Sequence, residues 1–151
     1  MGPRLDYGKL APAAYRAMAG LERATGPESG LSPRLRHLIK VRASQINGCA
    51  FCVDMHVKEA RQDGESQQRL DLLVVWRESP LFTPEERALL TWVESVTRIS
   101  ETGTPDQDYA PLKEFFTEEQ IAKITFAIVT INSWNRLAVS FRSQHPIDPP
   151  K

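Results

Sequence analysis

The chain has 151 residues and two cysteines, which stand three positions apart in Asn47-Gly48-Cys49-Ala50-Phe51-Cys52-Val53-Asp54-Met55-His56. Thiols at this spacing can close into a small disulfide and reopen, or supply half of a metal site. His56, four positions after the second cysteine, adds a proton acceptor. If a helix starts at Cys49, a turn of about 100° per residue lines up Cys49, Cys52, Val53, His56 and Ala60, with Phe51, Asp54, Lys58 and Arg61 on the other side. The imidazole then lies within reach of Cys52. Free N–H groups and the positive end of the helix dipole favour a thiolate there, while burial opposes it. A thiolate that attacks a peroxide becomes a sulfenic acid, which a neighbouring thiol converts to a disulfide with loss of water. A thiolate that attacks a partner disulfide gives a mixed disulfide that the second thiol resolves. Redox chemistry is the leading reading. The alternatives are two small buried hydrophobes, or a zinc site at Cys49, Cys52 and His56. Such a site lacks a fourth ligand at ligand spacing, since the remaining histidines are His37 and His145. Haem attachment is excluded, because Val53 and not histidine follows the motif.

The elements that must position these groups read as helices. Apolar residues recur at three- and four-residue intervals, and no alternating strand-like runs occur. The expectation is an all-α protein of six to seven helices in a single domain, residues 1–151, with the cysteine pair at the start of the third helix. The first helix is predicted from Tyr7 to Ala24. The second opens at Ser32-Pro33 and stops at Asn47-Gly48. The third ends before Gly64. A fourth spans about Glu65 to Arg77 and is expected to bury Leu70, Leu73, Val74 and Trp76. Thr83-Pro84-Glu85-Glu86 is a capping signature for a fifth helix reaching about Ser100. A short helix over about Gln107 to Glu114 follows. Thr117 and Gln120 form a second capping box for the longest helix, through about Phe141, which is apolar nearly all round and is expected to be central or partly covered by another subunit.

Composition narrows the class. Hydrophobic residues make up 41% and charged residues 25%, as in ordinary globular domains, and the formal net charge is zero. No basic footprint for nucleic acid or an anionic membrane is present. No stretch is apolar enough to span a bilayer, and the opening residues lack a signal-peptide core, so the cytoplasm is the expected compartment. Near-zero charge permits self-association.

The stretch from Leu31 to His56, Leu31-Ser32-Pro33-Arg34-Leu35-Arg36-His37-Leu38-Ile39-Lys40-Val41-Arg42-Ala43-Ser44-Gln45-Ile46-Asn47-Gly48-Cys49-Ala50-Phe51-Cys52-Val53-Asp54-Met55-His56, resembles the alkylhydroperoxidase D-like proteins of the carboxymuconolactone decarboxylase superfamily. Trp76-Arg77-Glu78 and Ile131-Asn132-Ser133-Trp134-Asn135-Arg136 extend the resemblance along the chain. It implies an all-helical fold whose functional unit is a helix pair holding the C-x-x-C. It also implies peroxidase or disulfide-reductase activity and homo-oligomers, commonly trimers or hexamers. Cys52 resembles the activated thiol, Cys49 its disulfide partner and His56 the relay histidine. No cofactor or metal is expected. The partners implied are a small hydroperoxide, a dithiol or protein reductant and a peroxiredoxin. Two positions depart from the family pattern. His37 stands where a relay glutamate is usual, twelve positions before Cys49, and Phe51 stands where tyrosine or histidine is common. His37 can carry a proton but supplies no fixed negative charge. It is read either as part of a relay through His56 to the thiols or as a half-exposed helix residue. The departures also favour a second class of function, a redox-sensing oligomeric adaptor with little turnover.

Elsewhere, Glu59 is close enough to orient His56 but is expected in solvent, and Glu22 and Glu28 are not at the family's relay position. Trp76, Trp92 and Trp134 are expected in the core or an interface. Arg42 and Arg136 are expected as paired surface charges, Asp54 as a first-turn acid and His145 on the surface.

Overall fold

The computed structural model describes residues 1–150. It is all-helical, and the apolar spacing is realised as helices α1 (Tyr7–Leu10), α2 (Pro12–Thr25), α3 (Pro33–Ile46), α4 (Ala50–Gln62) and α5 (Gln67–Leu72), a 3-10 segment (Leu73–Glu78), then α6 (Pro84–Thr97), α7 (Ile99–Thr102), α8 (Asp106–Tyr109), α9 (Leu112–Phe115) and α10 (Glu118–Phe141). The capping signals act as read. Ser32 accepts from the Leu35 N–H, and Thr83 with Glu86 and Thr117 with Gln120 each close a reciprocal box.

The helices are more numerous than the six to seven expected, because several predicted helices are interrupted. Pro12 divides the first. It has no N–H to donate and disfavours helical backbone at Ala11, which adopts φ −127°, ψ 62°. The cysteine pair therefore opens the fourth helix and not the third. The predicted fourth helix tightens into a 3-10 segment with a break at Val75 (φ −121°, ψ 30°). The change of pitch rotates Val74, expected in the core, out to 54% exposure, while Leu70, Leu73 and Trp76 remain buried. Arg98 (φ −102°, ψ 38°) ends α6 and separates α7 from it. Ala110-Pro111 divides the predicted short helix into α8 and α9.

α3 is the central element, packed against α4, α6 and α10. Leu38, Ile39, Leu89, Leu90, Ile124 and Ile128 are almost wholly buried. Burying each such side chain contributes about 1.5–3 kcal/mol. A disulfide closing a loop as short as Cys49–Cys52 adds only about 2 kcal/mol by loop entropy. Apolar packing therefore holds the bundle whichever redox state the cysteines occupy. α10 is not buried all round: Phe126, Val129 and Val139 are 60%, 46% and 47% exposed. Among the described residues, no helix is long and apolar enough to cross a membrane.

A buried ion cluster ties α3, the 3-10 segment and α6 together. Glu94 accepts from Arg42 Nε and Trp76 Nε1 at 2.9 Å each and from Arg77 Nη1 at 2.6 Å. Arg42 is thus buried and not the surface charge expected. Burial pushes the Glu94 carboxyl up, but the three donors outweigh it and hold the group below the usual carboxylate range. A depressed folded value means the stabilisation is present above the ordinary glutamate range and is lost as pH falls through the folded value. Melting temperature should therefore drop below about pH 4. Glu94→Gln should lower stability at neutral pH by about 3 kcal/mol and flatten that acid limb, as read by thermal melts across pH.

Candidate functional site

The turn that delivers the cysteines is held from below by α10. Asn47 caps α3, and its side-chain amide donates to Oδ1 of Asn132 and of Asn135, each at 2.9 Å. Asn135 in turn donates to Ser44 Oγ at 3.0 Å, and Asn132 donates to Thr97 Oγ1 at 3.1 Å. A buried polar network satisfied in this way rigidifies what it holds. Gly48 then takes φ +65°, which lets the chain reverse so that the Cys49 N–H donates to Ser44 O at 3.0 Å. A Cβ at Gly48 would meet nothing within 4 Å, so the requirement is one of backbone conformation alone. Gly48→Ala should cost about 1–2 kcal/mol, measured by denaturant unfolding.

Cys49 is the N-cap of α4, and its Sγ accepts from the Cys52 N–H at 3.3 Å. The two sulfurs are joined as a disulfide, with Cα atoms 5.3 Å apart. Both residues are 2% exposed. Cys49 packs against Cys52 and Ala138, while Cys52 also borders a cleft of about 320 Å³. Tyr7, Tyr15, Phe51, Met55 and Trp134 form the cleft's apolar wall. Tyr15 meets the Trp134 ring edge-on at 5.7 Å between centroids. Arg4 holds the N-terminal segment to the end of α10 by donating from its backbone N–H to Phe141 O and from its guanidinium to Ser140 O, both at 2.9 Å. Phe51, assigned to the opposite helix face, in fact shares the cleft with Cys52.

The polar side of the cleft is His56, Glu59 and Glu22. His56 is 7% exposed, and its Nδ1 lies 2.8 Å from Glu59 Oε2. An ionised carboxylate only accepts, so Nδ1 carries the hydrogen and Nε2 of the neutral ring keeps its lone pair. The bond to His56 holds the Glu59 carboxyl below the usual carboxylate range against the opposing effect of burial, and the charges of His56, Lys40 and His37 add to the lowering. Glu59 is therefore a partner of His56 and not the solvent-facing residue expected. Glu22 is fixed from two sides: Trp134 Nε1 donates to its Oε2 at 3.1 Å, and Lys40 pairs with its Oε1.

His37 does not border this cleft. It is buried and not half-exposed, and its Nε2 lies 2.6 Å from Asp63 Oδ2. The two residues line a separate cleft that also includes Glu22, Lys40 and Glu59. Cys52 and His56 thus border one cleft, with Cys49 bonded to Cys52, whereas His37 borders the other. The three-residue step from His56 to Glu59 was a local signal for the imidazole–carboxylate pair. Nothing local marks Glu22 or Asn135, which reach the site across helices. Among the described residues, no group of three or more histidine, cysteine or acidic side chains is gathered as metal ligands.

A cysteine pair that closes at a helix start beside an imidazole with one free nitrogen defines a helical thiol–disulfide protein. Over residues 12–95 the sequence matches the carboxymuconolactone decarboxylase family, and the chain belongs to that family as an alkylhydroperoxidase D-like member. It is 40% identical over 140 residues to the uncharacterized protein YdfG of Bacillus subtilis (strain 168), covering 93% of this chain and 95% of YdfG. A crystal structure from Agrobacterium tumefaciens, of a protein of unknown function named as a candidate antioxidant defence protein AhpD, superposes with a TM-score of 0.95 at 56% identity over 97% of this chain and 100% of that one. The alkylhydroperoxidase AhpD core of an uncharacterized peroxidase-related protein from Ralstonia eutropha JMP134 gives a TM-score of 0.77 at 25% identity over 90% of this chain and 72% of that one.

Proposed function

We propose that the protein is a thiol-dependent peroxidase that reduces hydroperoxides through a reversible Cys49–Cys52 disulfide. The observation that carries this reading is the placement of Cys52 and His56 on one apolar cleft, with Cys49 in bonding contact behind Cys52. His56 Nε2 takes the Cys52 proton. The thiolate attacks the hydroperoxide, the O–O bond breaks, and His56 returns the proton to the leaving alkoxide. The Cys49 thiol then attacks the Cys52 sulfenic acid, releases water and forms the disulfide. A dithiol or protein reductant regenerates the thiols, and a peroxiredoxin is the natural protein partner for such a cycle. The aromatic wall suits an organic hydroperoxide better than hydrogen peroxide. The exposed apolar residues of α10 support a homo-oligomer, trimer or hexamer, and reversible thiols suit the cytoplasm.

Treatment of the reduced protein with cumene hydroperoxide should remove two hydrogens and protect both cysteines from alkylation, as read by mass spectrometry. Thiols that stay fully alkylatable would overturn the reading. Cysteines only 2% exposed and a histidine in place of the family's relay glutamate favour a redox-sensing adaptor as the second reading. Disulfide formation without steady-state hydroperoxide consumption would select it.

A further inference from the structure

The cleft above Cys52 draws its walls from four helices. α1 supplies Tyr7, α2 supplies Tyr15 and Glu22, α4 supplies Phe51 and Glu59, and α10 supplies Trp134. Tyr15 and Glu22 lie two turns apart on one face of α2, and Phe51 and Glu59 lie just over two turns apart on α4. Each of these helices therefore brings one ring and one carboxylate to the same space. The rings form a corner and not a stack: Tyr15 meets Tyr7 at 48° and Trp134 at 70°, with centroids 6.2 and 5.7 Å apart. The face of an aromatic ring is the negative part of its quadrupole and attracts a cation. Elsewhere the protein meets this demand itself. Arg77 lies over Trp76, Arg69 over Phe82 and Lys113 over Tyr109, at 4.2, 4.7 and 5.1 Å from the ring centroids. Among the described residues, no lysine or arginine lies over the four cleft rings, and none borders the cleft. The charged groups that do border it are carboxylates. Glu59 spends Oε2 on His56, and that bond keeps its carboxyl ionised below the usual range. Glu22 takes the Trp134 N–H on Oε2, which fixes the indole, and pairs through Oε1 with Lys40. Lys40 itself borders the polar cleft and not this one. His56, 7% exposed and with Nε2 unpartnered, completes the wall beside Cys52.

We propose that this cleft is a binding site for an organic cation, so that the co-substrate meeting Cys52 carries a protonated or quaternary nitrogen beside its thiol or hydroperoxide. The proposal rests on the thiol–disulfide reading of the site but not on hydroperoxide being the oxidant. Glu22 is then a specificity-determining residue, and Lys40 moderates its charge. The effect is plainest in the reductive half-reaction. A thiolate attacks Cys52 Sγ, the Cys49–Cys52 bond breaks, and Cys49 leaves as a thiolate that takes up a proton. A second thiolate attacks the sulfur of the bound thiol, departs with it as a small disulfide and releases Cys52, which takes up the second proton. The two external thiols have then given up two electrons and two protons. Each attack carries a negative sulfur toward Glu22 and Glu59. A positive nitrogen on the same molecule offsets that repulsion and is drawn to the rings, whereas a second negative group adds to it.

The test starts from the oxidised protein and contains no peroxide. Three two-carbon thiols of different charge, cysteamine, mercaptoethanol and mercaptoethanesulfonate, re-reduce the disulfide, followed by quenched alkylation and mass spectrometry. Each rate is divided by that of the same thiol on dithiodipyridine, a neutral disulfide, which removes differences in intrinsic thiol reactivity. At low salt cysteamine should lead mercaptoethanesulfonate by about tenfold or more, with mercaptoethanol between them. Salt at about 1 M should shrink the lead. Glu22→Gln keeps an acceptor for Trp134 and should cut the lead to about threefold or less, while Lys40→Gln unmasks Glu22 and should widen it. The wild-type series decides by itself if a variant fails to fold. Normalised rates within about twofold of one another, or a lead that a folded Glu22→Gln leaves unchanged, would overturn the cation site and leave the thiol–disulfide reading standing. A disulfide that none of the three thiols reduces would overturn both.

Discussion

Cys52→Ser is expected to lower hydroperoxide consumption by about three orders of magnitude or more. A serine hydroxyl at this site stays un-ionised at neutral pH, and its oxygen cannot store the transferred oxygen atom as a sulfenic acid does. Cys49 cannot substitute, because it packs behind Cys52 against Ala138 and does not border the cleft. The complementary variant separates the two thiols. Cys49→Ser should still form one equivalent of Cys52 sulfenic acid, trapped by a sulfenate-selective probe, and then stop. The fold should survive both changes, since the lost disulfide is worth about 2 kcal/mol and the apolar core carries the rest. Circular dichroism melts of each variant check this. A Cys52→Ser protein that folds and keeps wild-type turnover would remove Cys52 from the reaction.

His56→Gln is expected to cost about 10²–10⁴-fold in turnover, the usual range for a lost general base. The carboxylate beside it divides that effect into orientation and charge. In Glu59→Gln the amide oxygen can still accept the Nδ1 hydrogen, so the ring stays aimed while the negative charge is lost. In Glu59→Ala both are lost. Turnover should fall about 10- to 100-fold for Glu59→Ala and less for Glu59→Gln. The pH dependence follows from the direction of the Glu59 shift. The bond to His56 lowers its folded carboxyl, so the pair is intact above the ordinary glutamate range and fails as pH falls through the lowered value. Thermal stability should therefore lose this contribution below about pH 4, and Glu59→Gln should lack that acid limb. Melts of both proteins across pH check it.

Legibility in the sequence depended on how local the cause was. The capping boxes at Thr83 and Thr117 and the stop at Asn47-Gly48 hold because caps and left-handed turns are satisfied within one turn of backbone. Pro12 was equally local, and its break of the first helix was available to any reading that gave the missing N–H its due. The phasing of Cys52 and His56 held because both ride on one rigid helix, while Cys49, its N-cap, lies behind Cys52 and off the cleft. The exit of Val74 from the core was not legible. It comes from a change of helical pitch where Trp76 and Arg77 are drawn to Glu94 on another helix.

By itself the sequence determined the helices, the redox-capable cysteine pair and the imidazole within reach of it, because these follow from spacing along a helix of known pitch. The His56–Glu59 pair is local to α4, but tertiary structure alone decided which carboxylate serves His37 and brought Glu22 to the site. His37 holds the position of the expected relay acid, yet packing turns it to Asp63, while Glu59 takes His56 and Glu22 arrives from α2. Ion pairs and hydrogen bonds require approach to about 3 Å. The crossing of α2, α3 and α10 around α4 sets that approach for Glu22 and for His37, and it is a property of the packed core that no single helix carries in its sequence.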